Sequence, residues 1–150
     1  MCSALRSDPR ENAGLKLTIA GNAPSIRQAL TELALRPPLA ALCVADRGSA
    51  EIVLAEILNN IAEHAYAGRG GPIELCVVAE ETGIACTIID GGVAMPNGEL
   101  PRGDLHLATD ARDLSEGGYG WFLIRSLTTD LRYLRRHNRN ELRFRILAGQ

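Results

Sequence analysis

Leu15, Leu17 and Ile19 alternate with Lys16 and Thr18, the period of a strand with one buried face. The residues before it are polar and irregular, so 1–14 reads as a flexible N-terminal segment. Gly21-Asn22-Ala23-Pro24-Ser25 supplies helix-start chemistry, and Ile26, Ala29, Leu30 and Leu33 recur at helical spacing until Arg36-Pro37-Pro38 stops the run. Asp46 is placed to cap a second, longer helix from about residue 47 to 66, which ends in the turn Ala67-Gly68-Arg69-Gly70-Gly71. Pro72 to Ala79 and Gly83 to Asp90 are rich in Ile, Val, Leu and Cys and predict an antiparallel hairpin. Apolar residues fill both parities there, so much of the hairpin is expected to be buried on both faces.

Residues 91–116 carry Gly, Pro and acid with no sustained period. A loop of that length inside a domain is usually a lid or binding loop. Tyr119 to about Thr128 reads as a helix, and Leu131 to Arg135 with Glu141 to Leu147 as a last hairpin. This order predicts an α+β two-layer sandwich, with helices on one face of a mostly antiparallel sheet. Residues 15–147 form a single domain on this reading.

Composition narrows the class. With 150 residues one core is expected, and no stretch approaches the roughly 18 apolar residues of a membrane helix. The first eleven residues lack a secretory pattern, so the location expected is cytoplasmic. Sixteen basic against eighteen acidic residues, with 4% aromatics, argue against direct nucleic-acid binding. Cys2, Cys43, Cys76 and Cys86 have no CxxC spacing and read as buried thiols. The charge is segregated: residues 1–116 hold nine basic and sixteen acidic residues, and 117–150 hold seven and two. Arg143 and Arg145 alternate with Leu142, Phe144 and Ile146 and so face outward, either as a solvated sheet face or as a docking surface for an acidic partner.

Three constellations carry chemistry. On the long helix Glu56, Asn60 and Glu63, with His64 at the edge, lie roughly opposite the stripe Leu54, Leu58, Ile61 and Ala65. This is either a solvated face or an oxygen-ligand set of the kind Mg²⁺ accepts beside phosphates. Asp90, at the end of an apolar strand and before Gly91-Gly92, is either a turn aspartate or a carboxylate for a ligand amino group. Gly117-Gly118-Tyr119-Gly120 opens a helix, where free backbone amides suit phosphate. A dinucleotide-binding glycine loop fails on position and a P-loop fails for want of Gly-Lys-Ser or Gly-Lys-Thr.

In this order and spacing the three features resemble the anti-sigma regulatory factor serine/threonine protein kinases of the GHKL, or histidine kinase-like, ATPase superfamily. The residues concerned are Glu56 to Asn60 through Glu63-His64-Ala65-Tyr66, then Asp90-Gly91-Gly92, then Gly117 through Leu127 with Asp130. The resemblance implies the Bergerat fold and binding of ATP with Mg²⁺. It implies Asn60 as the Mg²⁺ ligand, Glu56 as general base toward a substrate hydroxyl, and Asp90 with Gly92 at the adenine. It further implies Gly117, Gly118, Tyr119 and Gly120 at the phosphates, with Glu63 and His64 nearby and Arg27 of the first helix approaching. The implied partners are an anti-anti-sigma-type protein substrate and a sigma factor, with homodimers common in the family. The departures are Ala94 in place of the second glycine of D-x-G-x-G and Trp121 in place of leucine. A non-catalytic, ATP-gated binding module is the alternative. A histidine kinase fragment would need a separate phosphoacceptor hairpin, for which this chain has no room.

Overall fold

A computed structural model describes residues 14–104 and 118–149. Five strands form one antiparallel sheet in the order β1-β2-β3-β5-β4: β1 Leu15–Ala20, β2 Pro72–Glu80, β3 Gly83–Asp90, β4 Thr129–Arg136 and β5 Arg139–Leu147. Among the described residues three α-helices, α1 Ala23–Leu35, α2 Val44–Asn60 and α3 Gly118–Leu127, cover one face. The two-layer α+β arrangement expected from the sequence is the one observed.

The core follows from the alternation. Ile73, Leu75 and Val77 of β2, Ile84, Cys86 and Ile88 of β3, and Leu142, Phe144 and Ile146 of β5 point into one layer with Leu54, Ile57 and Leu58 of α2. Each such fully buried aliphatic side chain contributes about 1.5–3 kcal/mol. α2 lies at the centre, against α1 on one side and α3 on the other. The position of α2 fixes the site, because its C-terminal turn arrives at the rim of the sheet where β3 ends.

Several expectations need correction. The β2–β3 hairpin is buried on one face only: Cys76, Val78, Ala85, Thr87 and Ile89 on the other face are half-exposed, because no helix among the described residues covers them. Helix α2 starts earlier than Asp46. Its cap is Cys43, whose Sγ accepts from Asp46 N at 3.5 Å and donates to Asp46 Oδ2 at 3.0 Å, leaving Asp46 in the first turn. Regular α-helix ends at Asn60, and Ile61–Ala65 is a π turn. Of the thiols, Cys86 is buried, Cys76 intermediate and Cys43 exposed, while Cys2 lies outside the described residues. The last hairpin is longer than expected, closing through His137 and Asn138 with φ of 52° and 60°, the left-handed pair of a two-residue turn.

Candidate functional site

A cavity of about 340 Å³ opens at the rim where α2 ends, β3 exits and β5 begins. It is lined by Ile57, Asn60, Ile61, His64 and Ala65 of the α2 end, and by Asp90 with Val93 to Pro96 and Pro101 beyond β3. Trp121 of α3 and Tyr133, Asn140 and Leu142 of the last hairpin complete it. Mostly apolar walls with a few convergent polar groups are the usual make-up of a small-molecule site.

The π turn shapes one wall. Tyr66 N donates to Ile61 O at 2.9 Å, five residues back, so one extra residue is held in the turn. An extra residue rotates the chain beyond it by about 100°. Ala65 O is thereby free to accept from Val93 N at 2.8 Å, which ties the β3 exit to the helix end. Gly92 makes the approach feasible, since a Cβ there would run into the Ala65 carbonyl. Tyr66 fastens the same corner: its hydroxyl donates to Pro72 O at 2.5 Å and accepts from Gly91 N at 2.8 Å.

Asp90 is 5% exposed and sits at the cavity floor. Its Oδ1 accepts from Gly92 N at 2.9 Å and from Asn140 Nδ2 at 2.8 Å. Among the described residues no donor reaches its Oδ2. Asn60 lines the same cavity, and its buried Nδ2 has no hydrogen-bond partner among the described residues. An unpaired buried amide costs about 1–3 kcal/mol, so the site is built for a polar guest. One helical turn earlier, Glu56 is half-buried against the first turn of α3. A methyl group at Gly120 would come 2.5 Å from Glu56 Oε2.

Of the residues singled out from sequence, Asn60, His64 and Asp90 therefore line one cavity, with Glu56 and Gly120 in contact beside it. Gly92 supports the wall and does not line the cavity. Glu63 is exposed and outside the lining, and Arg27 is exposed on α1, also outside it. Tyr119 is 46% exposed, with its ring 6.0 Å from that of Phe122. Gly118 is the first residue of α3, and Gly117 lies outside the described residues.

Sequence reasoning missed Tyr66, Tyr133, Arg135 and Asn140, and noted Trp121 only as a departure. One signal was available: Asn140 holds an inward position of β5, in phase with Leu142, Phe144 and Ile146, where a lone amide has to find partners. The oxygen-rich polar set, Asn60 with Glu56, suits a hard cation such as Mg²⁺. Among the described residues no three His, Cys, Asp or Glu side chains form a metal cage, so a cation here would take its other ligands from phosphate and water.

The family model of the histidine kinase-like ATPase domain matches residues 17–146. The chain belongs to that family. Its five-stranded sheet and helical layer are thus the histidine kinase-like ATPase fold, and the ligand class of such a domain is ATP. This histidine kinase-like ATPase is also 24% identical over 82 residues to an anti-sigma F factor of Clostridium acetobutylicum, a match covering 55% of this chain and 56% of that protein. The matched segment spans about half the length of the curated relative.

Proposed function

We propose that this domain is a Mg²⁺-dependent protein serine/threonine kinase of the partner-switching type. In this reading it acts on an anti-anti-sigma-type protein and holds a sigma factor in its other state. The observation that carries it is Glu56 set against the first turn of α3, one helical turn from Asn60, whose unpaired Nδ2 calls for an acceptor such as a phosphate oxygen and whose Oδ1 is the atom for a cation. That pairing puts a carboxylate beside the helix start where phosphate would bind. The name of the clostridial relative supports the same regulatory setting.

Each residue has a defined task. Asp90 Oδ2 accepts a hydrogen bond from the adenine amino group. The backbone amides at the start of α3 receive phosphate oxygens, as free helix-start N–H groups do. Asn60 is the side chain that would hold Mg²⁺, which supplies charge neutralisation at the phosphates. The partner's hydroxyl oxygen bonds to the γ-phosphorus, the bond from that phosphorus to the β,γ-bridging oxygen breaks, and ADP leaves with the electron pair. Glu56 takes the hydroxyl proton late in the transfer, where little covalent help is needed and positioning dominates.

The test is incubation of the pure chain with labelled Mg·ATP and an anti-anti-sigma-type protein. The expected product is phosphoserine or phosphothreonine on the partner. Glu56→Gln should keep nucleotide binding while lowering transfer by about 10²-fold or more, the scale of a lost positioned base. Asn60→Ala should weaken Mg·ATP binding itself. Tight ATP binding with no transfer to any such partner would leave the ATP-gated binding module as the function.

A further inference from the structure

Asn140 has all of its hydrogen-bonding capacity engaged. Its Nδ2 donates to Asp90 Oδ1 at 2.8 Å and to Val93 O at 2.9 Å, while its Oδ1 accepts from Tyr133 Oη at 2.5 Å and from an Arg135 guanidinium nitrogen at 2.9 Å. The orientation of the amide is forced by its neighbours. Turned over, it would set its oxygen against a carboxylate and a carbonyl, and its NH₂ group against a guanidinium. The residue is 5% exposed, so bulk water does not replace a lost partner.

Two consequences reach Asp90. Its Oδ1 is filled by Asn140 and by Gly92 N, which leaves Oδ2 as the acceptor open to the cavity among the described residues. The loop carrying the carboxylate is held by the same side chains: Arg135 also donates to Gly92 O at 2.6 Å, and the Tyr133 hydroxyl accepts from Met95 N at 3.0 Å.

We infer that Asn140, braced by Tyr133 and Arg135, is a positioning residue that presents one fixed carboxylate oxygen of Asp90 to the cavity and so selects a 6-amino over a 6-oxo purine. The inference rests on the proposed nucleotide site. A 6-amino group donates to Oδ2, whereas a 6-oxo group meets it oxygen to oxygen. With Oδ1 tied to two donors, the carboxylate has no low-cost rotation that relieves this contact.

The isosteric change Asn140→Asp is the sharpest test. It keeps an oxygen for Tyr133 and Arg135 but replaces the donor to Asp90 with a second carboxyl oxygen. If the two carboxyl groups move apart, Asp90 turns and accommodates a 6-oxo group; if they share a proton at Oδ1, Oδ2 stays an acceptor and Tyr133→Phe carries the test. The experiment titrates Mg·ATP and Mg·ITP, the inosine nucleotide with a 6-oxo group, against the full chain. Its readout is the fluorescence of Trp121, the single tryptophan, which lines the same cavity.

Wild-type protein is expected to prefer ATP by about 10²-fold, the scale of setting one buried acceptor against another. In Asn140→Asp that ratio should fall by about tenfold or more, through weaker ATP and stronger ITP binding. Tyr133→Phe keeps the ring and removes only the hydroxyl. It should lower the ratio by about threefold, and it decides the matter if Asn140→Asp does not fold. Equal weakening of ATP and ITP in the variants, an unchanged ratio, or a wild type without preference overturns the positioning role and leaves nucleotide binding standing. A wild type that binds neither nucleotide overturns the nucleotide site, and this inference with it.

Discussion

Gly120 is the residue at which stability and chemistry separate most cleanly. Alanine is a better helix former than glycine by about 1 kcal/mol, and position 120 lies inside α3. The added methyl would sit 2.5 Å from Glu56 Oε2, the free end of a flexible side chain, so the carboxylate and not the backbone has to move. Gly120→Ala should therefore fold at least as well as the wild type, by thermal melt, while, on the proposed kinase reading, transferring phosphoryl groups more slowly. The cysteines divide in a similar way. Burial, with the Cys76 thiol nearby, pushes the Cys86 thiol up to about 12, so it stays protonated at neutral pH. A thiol reagent should label exposed Cys43 in the native state and Cys86 only after unfolding. Since Cys43 caps α2, Cys43→Ala should cost about 0.5–2 kcal/mol in a urea melt, and Cys43→Ser should be neutral or stabilising.

At the scale of elements, the legible parts are those governed by period. Leu15, Leu17 and Ile19 announce β1, Ile26 to Leu33 announce α1, and Leu142, Phe144 and Ile146 announce the inner side of β5. Periodicity does not report what covers a face. That is why apolar residues at both parities of β2 and β3 suggested double burial, when the second side of the hairpin is only half-buried among the described residues. Nor does it report the π turn, whose residues Ile61 to Ala65 carry no composition that distinguishes them from another α turn. Of the site, Glu56, Asn60 and Asp90 were legible because their chemistry is unusual where they stand. Tyr66 and Asn140 were not, since each acts through contacts with residues distant in the chain. Tyr66→Phe should cost about 0.5–1.5 kcal/mol, the net worth of a lost hydrogen-bond link, because it unfastens the Gly91 amide and the Pro72 carbonyl at the junction of α2, β2 and β3. Denaturant titration would show it, and an unchanged midpoint would remove Tyr66 from the supports of that corner.

Across the whole molecule, the segregated charge of the sequence is rejoined by the sheet. Arg139 meets Glu74 at 2.9 Å and Arg145 meets Glu80 at 2.9 Å, so arginines of the C-terminal strand answer acids of β2 across the face opposite the helices, and Arg145 also meets Asp130 of β4 at 2.8 Å. Such exposed pairs contribute about 0–1 kcal/mol each. Another tie closes the far end. The Cys43 thiol and the Gly149 amide, the latter at 3.0 Å, hold the Asp46 carboxyl below its ordinary range. A carboxyl depressed in the folded state adds stability above its unfolded value, about 3.9, and loses it as pH falls through the lower folded value. Melting temperature should thus decline through that acid window, and Asp46→Asn should flatten the decline. This knot lies beside the turn that links β2 to β3, whereas Asp90 and Asn140 mark the opposite ends of their strands. The described chain enters at Gly14, next to Val77 and Val78, and leaves at Gly149, both on the rim away from the cavity. A fluorophore or surface tether attached beyond Gly149 would consequently report on the protein, or immobilise it, from the side away from the cavity mouth.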